Sequence, residues 1–162
     1  MKIPTMTSAC ILLALSGPAL TQEAGSEGRE VGQTVFATID ASNRGAIHAG
    51  ELEDFRDAVF ASMDTNGDRR VPFEEFVAWD PGFARVAEEA GRLDQYTTAA
   101  RIVFAFWDRD GSGEMTEQEM RFAMVQDFRR ADLDDDTLLT EDEFLQGFPI
   151  MVAMRAAIRP DL

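Results

Sequence analysis

The stretch Asp108-Arg109-Asp110-Gly111-Ser112-Gly113-Glu114-Met115-Thr116-Glu117-Gln118-Glu119 decides how the rest of the chain is read. Counted as a twelve-residue loop, it carries oxygen-bearing side chains at positions 1, 3, 5, 9 and 12. Gly113 stands at position 6 and the apolar Met115 at position 8. A hard cation such as calcium takes six to eight oxygens at about 2.3–2.6 Å, and this spacing can wrap them round one ion. Asp108, Asp110 and Ser112 would supply three side-chain oxygens, Glu114 its backbone carbonyl, Thr116 a hydroxyl or a bridging water, and Glu119 both carboxylate oxygens. Gly113 suits a turn with φ > 0, which a side chain resists. A merely solvated acidic face would leave the glycine, the apolar position 8 and the closing glutamate unexplained.

The pattern recurs. Val35-Phe36-Ala37 returns as Val103-Phe104-Ala105 at an offset of 68 residues. At that offset Asp40 matches Asp108, Gly45 matches Gly113 and Glu51 matches Glu119; Asp64 matches Asp132, Asp68 matches Asp136 and Glu75 matches Glu143. Four loops therefore start at Asp40, Asp64, Asp108 and Asp132. A phenylalanine stands four residues before each start (Phe36, Phe60, Phe104, Phe128), and an apolar residue follows each closing glutamate (Leu52, Phe76, Met120, Phe144). A helical turn separates each phenylalanine from its loop, so the same face is buried each time. Position 8 is Ile47, Val71, Met115 and Leu139.

The loops resemble those of the EF-hand calcium-binding family, as in secreted or periplasmic bacterial members, over about residues 31–149. The resemblance implies an all-α fold, a helix-loop-helix array of two duplicated halves with two loops each in one compact domain. It implies calcium ions as the ligand, and short β-bridges between paired loops at position 8. Loop starts within each half are only 24 residues apart, so the twelve residues Leu52–Met63 read as one helix, about 18 Å long, shared by two loops. Between Asp64 and Asp108 the gap is 44 residues, with room for helix, turn and helix. The second and third loops should then pair through Val71 and Met115, and the first and fourth through Ile47 and Leu139.

The loops differ in quality. The fourth offers Asp132, Asp134, Asp136, the Leu138 carbonyl, Thr140 and Glu143, but Thr137 replaces the glycine at position 6, and Asp135 adds repulsion. The second offers Asp64, Asn66, Asp68, the Arg70 carbonyl and Glu75, with Arg69 at position 6 and Pro72 at position 9. The first keeps Asp40, Ser42 and Glu51 but has Arg44 at position 5, and a guanidinium has no lone pair to give. It reads as defunct. His48, the one histidine, falls at its position 9 and reads as a loop side chain.

Thirty acids against fifteen bases give a net charge of −15 over 162 residues, a field that disfavours nucleic acid and anionic lipid and favours cations. Lys2, the apolar run Ala9–Leu15 and the small residues near Ala19 have the layout of a secretory signal peptide over residues 1–19. A flexible lead-in is expected over 20–30, and a calcium-binding domain over 31–162, with halves at about 31–80 and 95–149. Cleavage would remove Cys10, the only cysteine, and leave a periplasmic or secreted protein with no membrane span, expected as a monomer. Helices are expected near 83–91 and 95–107, after the Pro81-Gly82 break, with a last apolar stretch from Ile150 to Ile158. No nucleophile–base set is visible, so an enzyme is not expected. The functional expectation is a calcium-binding or buffering module whose fold is coupled to calcium. The alternative is a sensor presenting a Met/Phe-rich surface, including Met120, Met124, Met151 and Met154, to a protein partner; the competing reading of those methionines is core.

Overall fold

The loop starts are helix ends. Asp40, Asp64, Asp108 and Asp132 each donate their backbone N–H to the carbonyl of the phenylalanine four residues earlier, at 2.8–3.0 Å. Phe36, Phe60, Phe104 and Phe128 are all buried, as are Leu52, Phe76, Met120 and Phe144 after the closing glutamates. Each loop is thus clamped between two apolar side chains of the core.

The computed structural model describes residues 19–159, with side chains over 27–159. Apart from Ala19, the signal peptide expected over residues 1–19 lies outside the described residues. In chain order the elements are helix α1 (Ala19–Ile39), strand β1 (Ala46–His48), α2 (Ala49–Met63), β2 (Arg70–Pro72), α3 (Phe73–Ala78), α4 (Phe83–Glu89), α5 (Leu93–Trp107), β3 (Glu114–Thr116), α6 (Glu117–Ala131), β4 (Leu138–Thr140), α7 (Glu141–Gly147) and α8 (Pro149–Ile158). The chain is mostly helical, and its strands are three-residue pieces joined in two antiparallel pairs.

Those pairs follow the expected register. β2 pairs with β3, with Val71 opposite Met115; β1 pairs with β4, with Ile47 opposite Leu139. All four position-8 side chains are fully buried. Each pair takes one loop from each half of the repeat, so the halves interlock. α2 and α6 are the shared helices, each running unbroken from one loop to the next. On α6 the expected stripe Met120, Met124, Phe128 and Ala131 is buried. On α2 the buried face is Leu52, Arg56, Val59, Phe60 and Met63, with Phe55 only partly covered. Burial of Arg56 was not foreseen.

The start of the fold differs from the sequence expectation. Residues 20–30 read as a lead-in because they are polar and rich in glycine, yet α1 already begins at Ala19. Its partners are distant in sequence: α1 packs on α4, α7 and α8. Glycine is what lets it approach. A Cβ on Gly28 would reach Ile158 Cδ1 at 3.7 Å, and one on Gly32 would meet Leu145 Cδ2 at 2.5 Å. Arg29 and Gln33 then reach Glu141 of α7, at 3.5 and 2.7 Å.

The last helix adds one face to the core. Pro149 starts α8 at a position where a missing N–H costs nothing. Met151, Met154, Ala157 and Ile158 are buried against α5, α1, α4 and α7. Met120 and Met124 are buried as well. The four methionines that would have formed a sensor's adaptable surface are therefore core. One cluster of buried side chains spans both halves, with edge-on aromatic contacts such as Phe73–Phe104 at 5.6 Å and Phe76–Trp107 at 5.9 Å between ring centres.

Candidate metal centres

The third loop shows how the sequence folds such a site. Asp108 caps the end of α5, and its carboxylate accepts from the amides of Ser112 (3.0 Å) and Gly113 (2.8 Å). Asp110 accepts from Ser112 N–H at 3.0 Å. Glu119 reaches back from the first turn of α6. Its Oε1 accepts from the amides of Arg109 and Asp110, and its Oε2 from the Thr116 amide and hydroxyl, at 2.9 and 2.7 Å. Thr116 in turn accepts from the Glu119 amide, closing a capping box. The backbone thus aims its N–H groups at carboxylates, which holds those oxygens together at close range. One oxygen each from Asp108, Asp110 and Glu119 lies within 4.8 Å of the others.

The fourth loop repeats the plan. Asp132 accepts from the Asp136 and Thr137 amides, Asp134 from Asp136, and Asp136 from Leu138. Glu143 accepts from the Leu133 and Thr140 amides and the Thr140 hydroxyl. Here the converging oxygens are those of Asp132, Asp134 and Asp136.

In the second loop Asp64 accepts from Asp68 and Arg69, Asn66 from Asp68, and Asp68 from Arg70. Glu75 Oε1 accepts from the amide and hydroxyl of Thr65. Its Oε2 is buried and has no hydrogen-bond partner. A carboxylate oxygen held out of water without a donor is costly, and it asks for one. A cation in the loop would answer it. Asp64, Asp68 and Glu75 stand further apart than the other two sets; among the described residues, convergence within 4.8 Å is confined to the third and fourth loops. The carbonyls assigned to position 7, on Arg70, Glu114 and Leu138, open β2, β3 and β4. Arg70 and Arg69 also bridge the paired loops, meeting Glu114 and Glu117 at 3.0 and 3.1 Å.

Backbone signs agree across all four loops. Position 6 has φ of 80° at Gly45, 65° at Arg69, 86° at Gly113 and 69° at Thr137. The turn is therefore present at Arg69 and Thr137 without a glycine. Position 4 is left-handed too, at Asn43, Gly67, Gly111 and Asp135. This second turn is legible only in the residue types there, since glycine, asparagine and aspartate are those that tolerate it. Asp135 is thus a turn residue as well as a source of repulsion.

The first loop keeps the shape with its own cation. Asp40 accepts from the Arg44 and Gly45 amides, at 3.0 and 2.7 Å, and Arg44 Nε donates to Ser42 Oγ at 2.8 Å. Glu51 accepts from the Ser42 and His48 amides. His48 Nδ1 accepts from Gly50 and Glu51, so the ring caps α2 and takes the part that Thr116 and Thr140 play in their loops.

Hydrogen bonding keeps these carboxyls ionised. Ser42 lowers Glu51 to about 2 against the opposing effect of burial. Ser112 pulls Asp110 below its ordinary value. Burial raises Glu119, but hydrogen bonds from Thr116 and Asp110 outweigh it; Glu143 is lowered chiefly by the Thr140 amide. Sequence reasoning missed one buried acid. Asp127 accepts from Trp107 Nε1 at 3.1 Å and pairs with Arg130 at 2.7 Å, and burial raises its carboxyl despite both partners. Only its place on the apolar stripe of α6 hinted at this.

Compared with protein-family profiles and with solved structures, the chain returns no match. Its own geometry remains: acidic clusters on helix-flanked loops, compatible with EF-hand loops and able to hold a metal ion. No described helix is long and apolar enough to cross a membrane.

Proposed function

We propose that the protein is an EF-hand-type calcium-binding module of the periplasm or the extracellular medium, acting as a buffer whose fold is coupled to calcium. The observation that carries the reading is the convergence of Asp108, Asp110 and Glu119 in a loop whose register the chain repeats. All the donors are hard oxygens. The converging groups contain no thiolate and no imidazole, which argues for an alkaline-earth ion over a transition metal. A closing glutamate able to give both oxygens favours calcium over the smaller, strictly octahedral magnesium.

When bound, the ion would draw together carboxylates that otherwise repel. Asp108, Asp110, Ser112, the Glu114 carbonyl, Thr116 and Glu119 would hold it in the third loop. Asp132, Asp134, Asp136, the Leu138 carbonyl, Thr140 and Glu143 would do so in the fourth. In the second, Asp64, Asn66, Asp68, the Arg70 carbonyl and Glu75 would hold it, with the unpartnered Glu75 Oε2 as a further point of support. The first loop binds none. The protein works as a monomer and is not an enzyme in this reading, and it has no nucleic-acid partner.

The test compares far-UV circular dichroism and melting temperature in chelator and in millimolar calcium. Binding to the folded state alone adds about 2.7 kcal/mol per site at a hundredfold excess over Kd. The melting temperature should rise, and Glu119→Gln should remove part of the rise. Identical melting in both media would sink the proposal.

A further inference from the structure

Helix α6 carries parts of two candidate metal sites at once. Glu119, which closes the third loop, stands in its first turn, and Asp132, which opens the fourth, caps its end. α5 ends at Trp107, and Asp108 of the third loop caps it. Trp107 and Asp127 join these two helices away from the loop. The indole Nε1 donates to Asp127 Oδ2 at 3.1 Å, and both residues are buried. Arg130 holds the other oxygen, Oδ1, at 2.7 Å. Phe76 packs edge-on against the indole, with ring centres 5.9 Å apart, and confines it.

Packing alone does not ask for a polar tie here. At the repeat offset of 68 residues, Ile39, Val59 and Ser62 stand in the places of Trp107, Asp127 and Arg130. Ile39 and Val59 are buried, so an apolar pair fills the same position in the first half. Burial raises the Asp127 carboxyl despite its two partners, so the charged form is held there at a cost. Replacing buried charged groups by well-packed apolar side chains is often neutral or stabilising. The halves differ in one further respect. The third and fourth loops, at the two ends of α6, each bring three carboxylates within 4.8 Å; among the described residues, the first and second loops, at the ends of α2, do not. The tie stands where two converging sites share a helix.

We propose that Asp127, held by Trp107, couples the third and fourth sites, so that an ion in either raises the affinity of the other. The inference rests on the calcium reading above. Closing Glu119 on an ion fixes α6 against α5, and the Trp107–Asp127 bond extends that fixed relation towards the end of α6 that presents Asp132. Asp127 is a positioning residue in this scheme and ligates nothing. Two dications repel, so their charges alone would give the opposite sign.

The experiment titrates the full chain with calcium at physiological salt and follows amide chemical shifts. The Thr137 amide reads the fourth loop and the Gly113 amide the third, since they donate to Asp132 and Asp108. The cycle comprises the parent, Glu119→Gln, Asp127→Val and the two changes together. Glutamine keeps the capping role of Glu119 without its charge. In the parent, Glu119→Gln should weaken calcium at the fourth loop about fivefold or more, as coupling free energies between sites typically do. With Asp127→Val, which installs the first half's side chain, Glu119→Gln should leave the fourth loop unchanged. A residue that only supported the fold would shift the affinities and leave that dependence intact. Asp127→Asn keeps an acceptor for the indole and should retain the coupling. Trp107→Phe removes the donor and should abolish it, and it decides the matter should Asp127→Val fail to fold. Calcium binding at both amides with no effect of Glu119→Gln on the fourth loop, an effect that survives Asp127→Val or Trp107→Phe, or a loss of coupling in Asp127→Asn would overturn the proposal and leave the calcium reading in place. Absence of any calcium-dependent shift at either amide would overturn both.

Discussion

A β-branched side chain in the left-handed region is an expense that Thr137 meets for the fourth loop, at φ 69°. The cost is on the order of 1–2 kcal/mol, and glycine avoids it. Thr137→Gly should therefore raise the unfolding free energy by about 1 kcal/mol in chelator, read from urea denaturation. No change would mean that the turn is not strained. Glu51 makes the complementary point about charge. Hydrogen bonding from Ser42 lowers its carboxyl from 4.5 to about 2. A group depressed on folding stabilises above its unfolded value and loses that contribution as pH falls through its folded value. In chelator, Glu51→Gln should be less stable than the parent at pH 7, and the gap should close between pH 4.5 and pH 2. A gap that widens with acid would contradict the assigned geometry. At this scale the loop residues were legible because their side-chain chemistry is local. Arg56 and Asp127 were not, since burial of a charge depends on neighbours from another helix.

The helices were legible where their apolar spacing was regular, as on α6, and where Pro81-Gly82 broke the chain before α4. They were illegible at α1, whose glycines look like loop until the helices they touch are known. Close approach also governs the other end of the molecule. Gly147 ends α7 against the backbone of α6, and a Cβ there would lie 2.9 Å from Ala131 Cα. Backbone cannot step aside as a side-chain tip can. Gly147→Ala should cost about 1–3 kcal/mol and lower the melting temperature, whereas Gly50→Ala, whose nearest contact is the His48 ring at 3.1 Å, should cost less. Equal effects at the two positions would show that α6 and α7 are not held as closely as described.

The molecule as a whole is two halves of a repeat laced together, because each loop pair draws on both. That arrangement was readable from two numbers in the sequence, the spacings of 24 and 44 residues between loop starts. What no spacing could say is that α8 packs on α1, α4, α5 and α7 and that its own Met151 and Met154 are core. Interlocking also ties the metal reading to the whole fold: a cation in the second or third loop acts on strands from both halves. The measurement that bears most directly on this is calorimetric titration of the chelator-treated protein with calcium. Two or three ions should bind, none of them in the first loop, and Arg44→Asp should add one binding event. No binding at millimolar calcium, or four ions in the unmutated protein, would contradict the account.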